Sequence, residues 1–568
     1  MGQVFGIDLG TTYSVIATLD ENSLPKVIEN FADSVPLLAS AVYFPEGGDP
    51  VVGKEAKAQA EVEPDRVIQF VKRQIGKPDA QRWTFDGVDY DPIKVSSLIL
   101  KRMKEYAEEQ GFSVNDVVIT CPAYFGQEEK AATKQAGELA GLNVLTIVNE
   151  PTAAALNYCA REFAEKRKMM VYDLGGGTFD ITLFDFDVDQ DGKASIDILE
   201  TSGNDRLGGV DWDALLFDHI CDLYEEETGV GKNQMDAELR QRLHAQVEDV
   251  KQSLSSLPTK SFSIAYAGDT TRLTVTREKF EELTQGLVNQ TVALVQQALS
   301  HAGLATGDID VVLMVGGSSL MPMIKAALDG LFPGKTRREE PNLAVAKGAA
   351  LAAAIKWNEN LDKRVEGANA SAGAGGSHLD GPTGEAPLTR AEADALAISV
   401  PKIGTVSDKL TRSLGPGILD ENRQFVVDNL LFIGDDDGAE ASQVYGTASE
   451  NQARVVVRVF ENVSRDRDHT HVPPSEDQDG SPLFPDPNLK VKKIGEVELP
   501  LPPNTPMDTP IEVFFRSSTI GLEVRATNVN TGESVNAVIT SPNTMGQEEF
   551  QAAKEQLASV RTAGQISG

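Results

Sequence analysis

Apolar positions in the first 357 residues fall into two alternating patterns. Short apolar runs bounded by turn residues, at 116–122, 144–148 and 310–317, predict buried strands. Between them lie stretches with helical spacing. One is Ala-rich and closed by Gly141 (127–141), another has Pro151 in its first turn, a long amphipathic one covers 237–256, and one begins near Met321. This alternation predicts an α/β domain over 1–357. From about residue 400 the pattern changes to short strand-like runs at 424–428, 442–446, 454–460, 511–515 and 521–526, with an Asn530-Thr-Gly-Glu533 turn before 534–539. An all-β, sandwich-like domain over 399–541 is predicted, followed by a short helix and tail at 542–568. The intervening 358–398 carries Gly-Ala-Asn-Ala-Ser-Ala-Gly-Ala-Gly-Gly and is expected to be a flexible linker. Leu396-Ala-Ile-Ser-Val400 is an apolar island at its end.

Two stretches of the α/β domain repeat one design. In Met169-Met-Val-Tyr-Asp-Leu-Gly-Gly-Gly-Thr-Phe-Asp180 an apolar strand delivers Asp173 to a glycine turn, and a second strand leaves through Asp180. Consecutive glycines let backbone N–H groups approach an anion unobstructed. The flanking aspartates make sense beside that anion only with a divalent cation between. Three glycines alone would equally suit an ordinary hairpin. A second copy, Val4-Phe-Gly-Ile-Asp-Leu-Gly-Thr-Thr-Tyr-Ser14, decides for a duplicated fold gripping one nucleotide.

Charge narrows the partners. The chain has 52 basic and 86 acidic residues, a net charge of −34, which disfavours nucleic acid and anionic membranes. Three cysteines without a CxxC support neither a disulfide framework nor a zinc site. His469-Thr-His471 lacks a third metal ligand, and Asp435-Asp-Asp-Gly438 lacks calcium-loop spacing. No leader-like segment or spanning apolar run stands out, so a soluble protein is expected; the cysteine usage suits a reducing cytoplasm, and a monomer is expected.

Taken together, Gly6-Ile-Asp-Leu-Gly-Thr-Thr-Tyr-Ser14, Asn149-Glu-Pro-Thr-Ala-Ala-Ala-Leu156, Asp173-Leu-Gly-Gly-Gly-Thr-Phe-Asp180, Leu207-Gly-Gly-Val-Asp211 and Val315-Gly-Gly-Ser318 resemble the 70-kDa heat-shock chaperone family. The resemblance implies a two-lobed, actin-like ATPase domain followed by a β-sandwich substrate-binding domain. ATP or ADP with Mg²⁺, and K⁺ as a further ion, are the implied cofactors. Asp8 and Asp173 would hold Mg²⁺ through water. Gly10, Thr11, Thr12, Tyr13, Gly175, Gly176, Gly177, Gly208, Gly209 and Ser318 would contact the nucleotide. Lys72 matches the family's catalytic lysine, with Glu150, Asp173, Thr178 and Asp180 around the attacking water. Alone, Lys72 would read as a surface lysine and Glu150 as a helix-start carboxylate. Glu248, Lys251 and Ser255 share a helix face suited to adenosine, and Gly316 and Gly317 would let backbone approach the nucleotide. Leu320 stands where the family usually places an arginine over the adenine.

Pro122 and Lys130 match residues that relay nucleotide state. Leu419, Tyr445, Ala448, Gln452 and Val455 match the family's peptide cleft, although Leu414-Gly-Pro-Gly-Ile-Leu-Asp-Glu421 departs from its sequence. The family's long helical lid is replaced by one short helix. Thr146 and the island at 396–400 depart from positions used with J-domain co-chaperones, so that partner and a nucleotide exchange factor are weaker implications. The reading is an ATP-dependent chaperone for extended apolar segments of unfolded proteins. The alternative is a nucleotide-gated interaction protein with little turnover and one dedicated partner.

Overall fold

The computed structural model describes residues 3–30, 36–161, 166–188, 194–373, 388–400, 403–407, 409–436, 438–465, 471–472, 475–476, 482–483, 491–518, 521–539, 544–558 and 560–562; for 194, 367–373, 403–407 and 471–483 the description covers backbone only. Of the paired histidines, His469 lies outside the described residues and His471 is described in its backbone alone. Asp437 of the acidic turn and residues 374–387 of the expected linker also lie outside them.

Two six-stranded sheets centre the α/β part, and five strands of each follow one topology. In the first, Val4–Asp8 pairs antiparallel with Tyr13–Leu19 and parallel with Asp116–Cys121. In the second, Arg167–Leu174 pairs antiparallel with Phe179–Val188 and parallel with Val311–Val315. Each hairpin therefore ends its first strand at the same place, which is the duplication expected from the two motifs. The central strands are buried on both faces, as their unbroken apolar runs require. Helices Glu150–Cys159 and Ala344–Gly373 cross tightly between the lobes. A Cβ at Gly348 would lie 1.6 Å from the Ala153 carbonyl oxygen, and one at Gly6 would lie 2.0 Å from the Ala350 nitrogen. The crossing is built from alanine and glycine because nothing larger fits.

The expected linker begins later than residue 358. The helix Ala344–Gly373 runs on because Leu361 and Val365, one turn apart, bury against Trp357, Leu388 and Ala393. A further helix, Arg390–Leu396, is capped by Thr389. The apolar island is docked rather than free. Ile398 and Val400 pack on the core beneath the second sheet, and Asn358 exchanges two hydrogen bonds with the Ile398 backbone (2.7 and 2.9 Å). Strand Ile403–Ser407 then joins the edge of the second sheet, parallel to Ala194–Asn204, so the α/β part reaches beyond residue 399.

The C-terminal part is a sandwich. One sheet contains Phe425–Asp428, Ser413–Leu419, Arg454–Asn462 and Lys492–Pro500; the other contains Glu440–Gly446, Pro510–Ser518, Gly521–Asn528 and Ser534–Ile539. Val457, Val459 and Val497 of the first face Val513, Phe515 and Val524 of the second in one core. This sandwich and the helix Gln547–Ala558 both dock on the first lobe. Met545, Ala553 and Leu557 join its core, and Gln135 exchanges hydrogen bonds with the Met545 backbone (2.9 and 2.8 Å).

Candidate functional site

The two hairpin ends face each other across a cavity of about 470 Å³. Asp8, Gly10, Thr11, Thr12, Tyr13, Lys72 and Glu150 line it from the first half; Asp173, Gly175, Gly176, Thr178, Glu248, Lys251, Ser255, Gly316, Gly317 and Ser318 line it from the second. Gly177, Asp180, Gly208 and Gly209 stand one layer behind. Gly208 packs so closely on the turn that a Cβ there would lie 2.4 Å from the Gly177 carbonyl carbon. These last two glycines brace the turn instead of lining the cleft.

Four carboxylates crowd around one ammonium. Lys72, held in a short turn entered through Phe70 at φ 58°, is buried and ion-paired to Glu150. Burial works against the Lys72 charge, but Glu150 and Asp8 outweigh it and hold its proton on. Burial and then Glu150 push Asp8 up to about 7, against Lys72 and a 3.4 Å hydrogen bond from Thr120. Burial, with Glu150, Asp180 and Asp8, drives Asp173 well above the usual carboxylate range. Asp180 rises through burial and Glu150; its Oδ1 accepts from the Ala123 N–H at 3.0 Å, while its Oδ2 is buried without a protein partner. Carboxylates crowded in this way suit a site that takes a further positive charge. Among the described residues no three acidic or imidazole groups converge to ligate a metal directly. The donor set fits a divalent ion that keeps its water shell.

At the cleft mouth Glu248 is ion-paired to Lys57 and accepts a 2.9 Å hydrogen bond from the Tyr13 hydroxyl. Lys57 carried no signal in the sequence, because nothing in the helix Lys54–Gln59 marks it. Lys251 is paired to Asp213 at 2.7 Å, and Leu320, Met321, Pro341 and Val345 make the opposite wall apolar. Leu320 is 39% exposed, which suits a cleft wall.

Pro122 is buried at the end of strand Asp116–Cys121, and its turn touches both the cleft and the sandwich. Ala123 binds Asp180, while Tyr124 and Phe125 offer carbonyls to Arg412 (3.5 Å) and Thr411 (3.2 Å) of the sandwich. Lys130 is buried on the following helix, Gln127–Leu139. In the sandwich, Arg423 donates to the Ala448 carbonyl at 2.9 Å, joining the hairpin after Leu419 to the loop that holds Ala448. Gln452 accepts from the Ala448 N–H at 3.1 Å, Tyr445 donates to Asp428 at 2.8 Å, Leu419 is exposed and Val455 is half-buried.

Residues 4–366 match the family described as Hsp70 protein. The chain belongs to the Hsp70 family. It is also 33% identical over 558 residues to the chaperone protein DnaK of Thermosipho melanesiensis, covering 96% of this chain and 82% of that protein. As an Hsp70 it is an ATPase and an ATP-dependent chaperone, a stress-response protein whose family binds ATP or ADP with magnesium. No described helix is long and apolar enough to cross a membrane.

Proposed function

We propose that ATP lies in the cleft with its phosphates on the Gly175–Gly177 turn and on Thr11 and Thr12, and its base toward Ser255 and Leu320. The observation that carries this reading is the cluster of Asp8, Asp173, Asp180 and Glu150 around the single ammonium of Lys72. Mg²⁺, when bound through water to Asp8 and Asp173, supplies charge neutralisation at the phosphates. Lys72 places a fixed positive charge beside the attacked phosphorus, in a site dry enough to strengthen it. Glu150 and Asp180 orient the attacking water, and Thr178 holds it against the γ-phosphate. K⁺ near the same carboxylates is part of the proposal. The nucleotide domain is read as actin-like.

The same reading extends to the sandwich. An extended apolar segment of an unfolded protein binds between Leu419 and Ala448, above Val455, by backbone hydrogen bonds and one side-chain pocket. Nucleotide state passes from Asp180 through the Ala123 N–H and the Pro122–Phe125 turn to Thr411 and Arg412. A cytoplasmic monomer, working with a J-domain co-chaperone and an exchange factor, completes the reading. Single-turnover hydrolysis with and without an apolar peptide tests it: stimulation by peptide is expected. ATP binding without turnover in either condition would sink it and leave the nucleotide-gated partner reading.

A further inference from the structure

Gly175, Gly176 and Gly177 present their carbonyls away from the cleft, and each one is held. The Gly175 oxygen accepts from Gly209 N–H at 3.0 Å and the Gly176 oxygen from Val210 N–H at 2.8 Å. Both donors belong to the start of helix Gly209–Thr228, in the same lobe. The third carbonyl is treated differently. The Gly177 oxygen accepts from Arg73, through Nε at 2.8 Å and Nη2 at 2.5 Å, and Arg73 comes from the opposite lobe. Nη2 also donates to Asp211 at 2.9 Å, whose same oxygen accepts from the Gly208 N–H at 2.8 Å.

In a trans peptide the N–H points opposite to the carbonyl before it. Holding the three oxygens back therefore turns the N–H groups of Gly176, Gly177 and Thr178 forward. Two of these amides are set by their own lobe and persist however the lobes move. The Thr178 peptide is backed by Gly208 of its own lobe, where a Cβ would lie 2.5 Å from the Thr178 nitrogen, but the donor that holds its carbonyl comes from across the cleft. Arg73 adjoins Lys72 in the same turn, Val71–Gln74, so both cations reach the phosphates' neighbourhood together. The planar guanidinium suits a two-point hold that an ammonium cannot copy.

We propose that Arg73 is a positioning residue for hydrolysis: by drawing back the Gly177 carbonyl from across the cleft, it aims the Thr178 amide at the γ-phosphate and makes that aim conditional on lobe closure. The proposal rests on the reading of the cleft as the ATP site. Its effect belongs mainly to turnover, because the other two amides, and Mg²⁺ when held by the carboxylates, bind the phosphates without it.

The test compares the full chain with Arg73→Gln and Arg73→Lys, using single-turnover hydrolysis at saturating ATP, calorimetric ATP affinity and release of a fluorescent ADP. In Arg73→Gln the hydrolysis rate is expected to fall about 30-fold, as misplacement of a positioned group does, while ATP affinity changes by about threefold or less. Arg73→Lys recovers only part of the rate, and free guanidinium partly rescues Arg73→Gln. Thermal unfolding of Arg73→Lys guards against a folding defect. Hydrolysis by Arg73→Gln within about twofold of the wild type overturns the proposal, as does an equal loss of affinity and rate. Wild-type protein that neither binds nor turns over ATP overturns the cleft reading itself. Wild-type turnover that is lost in Lys72→Ala but kept in Arg73→Gln removes only the role of Arg73.

Discussion

Two buried acidic clusters among the described residues are relieved in different ways. In the cleft, Asp8, Asp173, Asp180 and Glu150 share Lys72 and face a cavity large enough to admit a cation and its waters. At the interface between first lobe and sandwich, Glu128 and Glu129 of the lobe meet Glu461 of the sandwich, with Arg412, Lys492 and Lys77 as the nearby cations. A Cβ at Gly126 would lie 2.9 Å from Glu461 Oε2 and 3.2 Å from Glu129 Oε2, so the two carboxyls crowd one spot. Burial, then Glu129 against the pull of Arg412, raises Glu461 to about 7. Here the relief is a domain, not an ion: Lys492 reaches Glu128 only when the sandwich is docked. The same physics makes one cluster a ligand site and the other a joint whose strength depends on protons.

The largest effect that separates them is expected from Lys72→Ala. Single-turnover hydrolysis should drop by about a hundredfold or more, the scale for losing a preorganised charge at a reacting group. Fluorescence energy transfer between lobe and sandwich, without nucleotide, should not change. A matched loss of docking would merge the two clusters into one.

Next in size is Leu557→Ala. Removing this buried side chain from the first-lobe core should weaken docking of helix Gln547–Ala558 by about 2–4 kcal/mol. Hydrogen exchange of that helix reports it, with calorimetric ATP affinity as the control. Unchanged protection would mean the helix is held by its polar contacts alone.

Glu461→Gln sharpens the comparison through pH. A carboxyl raised in the docked state takes up a proton on docking. Its cost to docking is therefore absent below its usual value near 4.5, grows as pH rises from there, and is full above about 7. Energy transfer should fall between pH 5 and 7 in the wild type and fall less in Glu461→Gln, where Glu129, also raised by burial, still titrates. Burial lowers Lys492 to about 8, so the comparison ends below that pH. A flat wild-type profile would remove the proton from the joint.

Leu320→Arg should have the smallest effect. A cation over the base is worth about 0.5–1 kcal/mol at a partly exposed site, or roughly a two- to fivefold gain in ATP affinity. Calorimetry that finds no gain would place the base elsewhere in the cleft.

The cleft was legible because its chemistry needs particular residues at particular spacings. Glycine runs, paired aspartates and Glu150 before Pro151 survive as strings, and the structure brings Asp8, Asp173, Gly175, Gly176 and Glu150 to one cavity, with Gly177, Asp180, Gly208 and Gly209 behind it. Arg73 was adjacent to a residue already singled out, yet no pattern reports which way an arginine reaches. Glu461 reads as an ordinary strand-end charge, and only the docked sandwich reveals its burial. Strand Lys492–Pro500 escaped for a different reason. A bulge beside Val459 and Phe460 shifts its register, so the buried Ile494 and Val497 stand three apart and the alternation is lost. The helix through Gly373 was hidden by composition: two apolar residues, Leu361 and Val365, outweighed the Gly- and Ala-rich sequence beside them.

The alanine- and glycine-lined crossing of helices Glu150–Cys159 and Ala344–Gly373 has a mechanical consequence. Where bulky side chains interlock, one helix can turn on another only by lifting teeth out of sockets. Here Ala153, Ala154 and Ala155 meet Ala349, Ala352 and Ala353 with little to unmesh. The molecule thus has a smooth pivot at its waist, and resistance to opening resides in the polar ties at the rim, not in the axle.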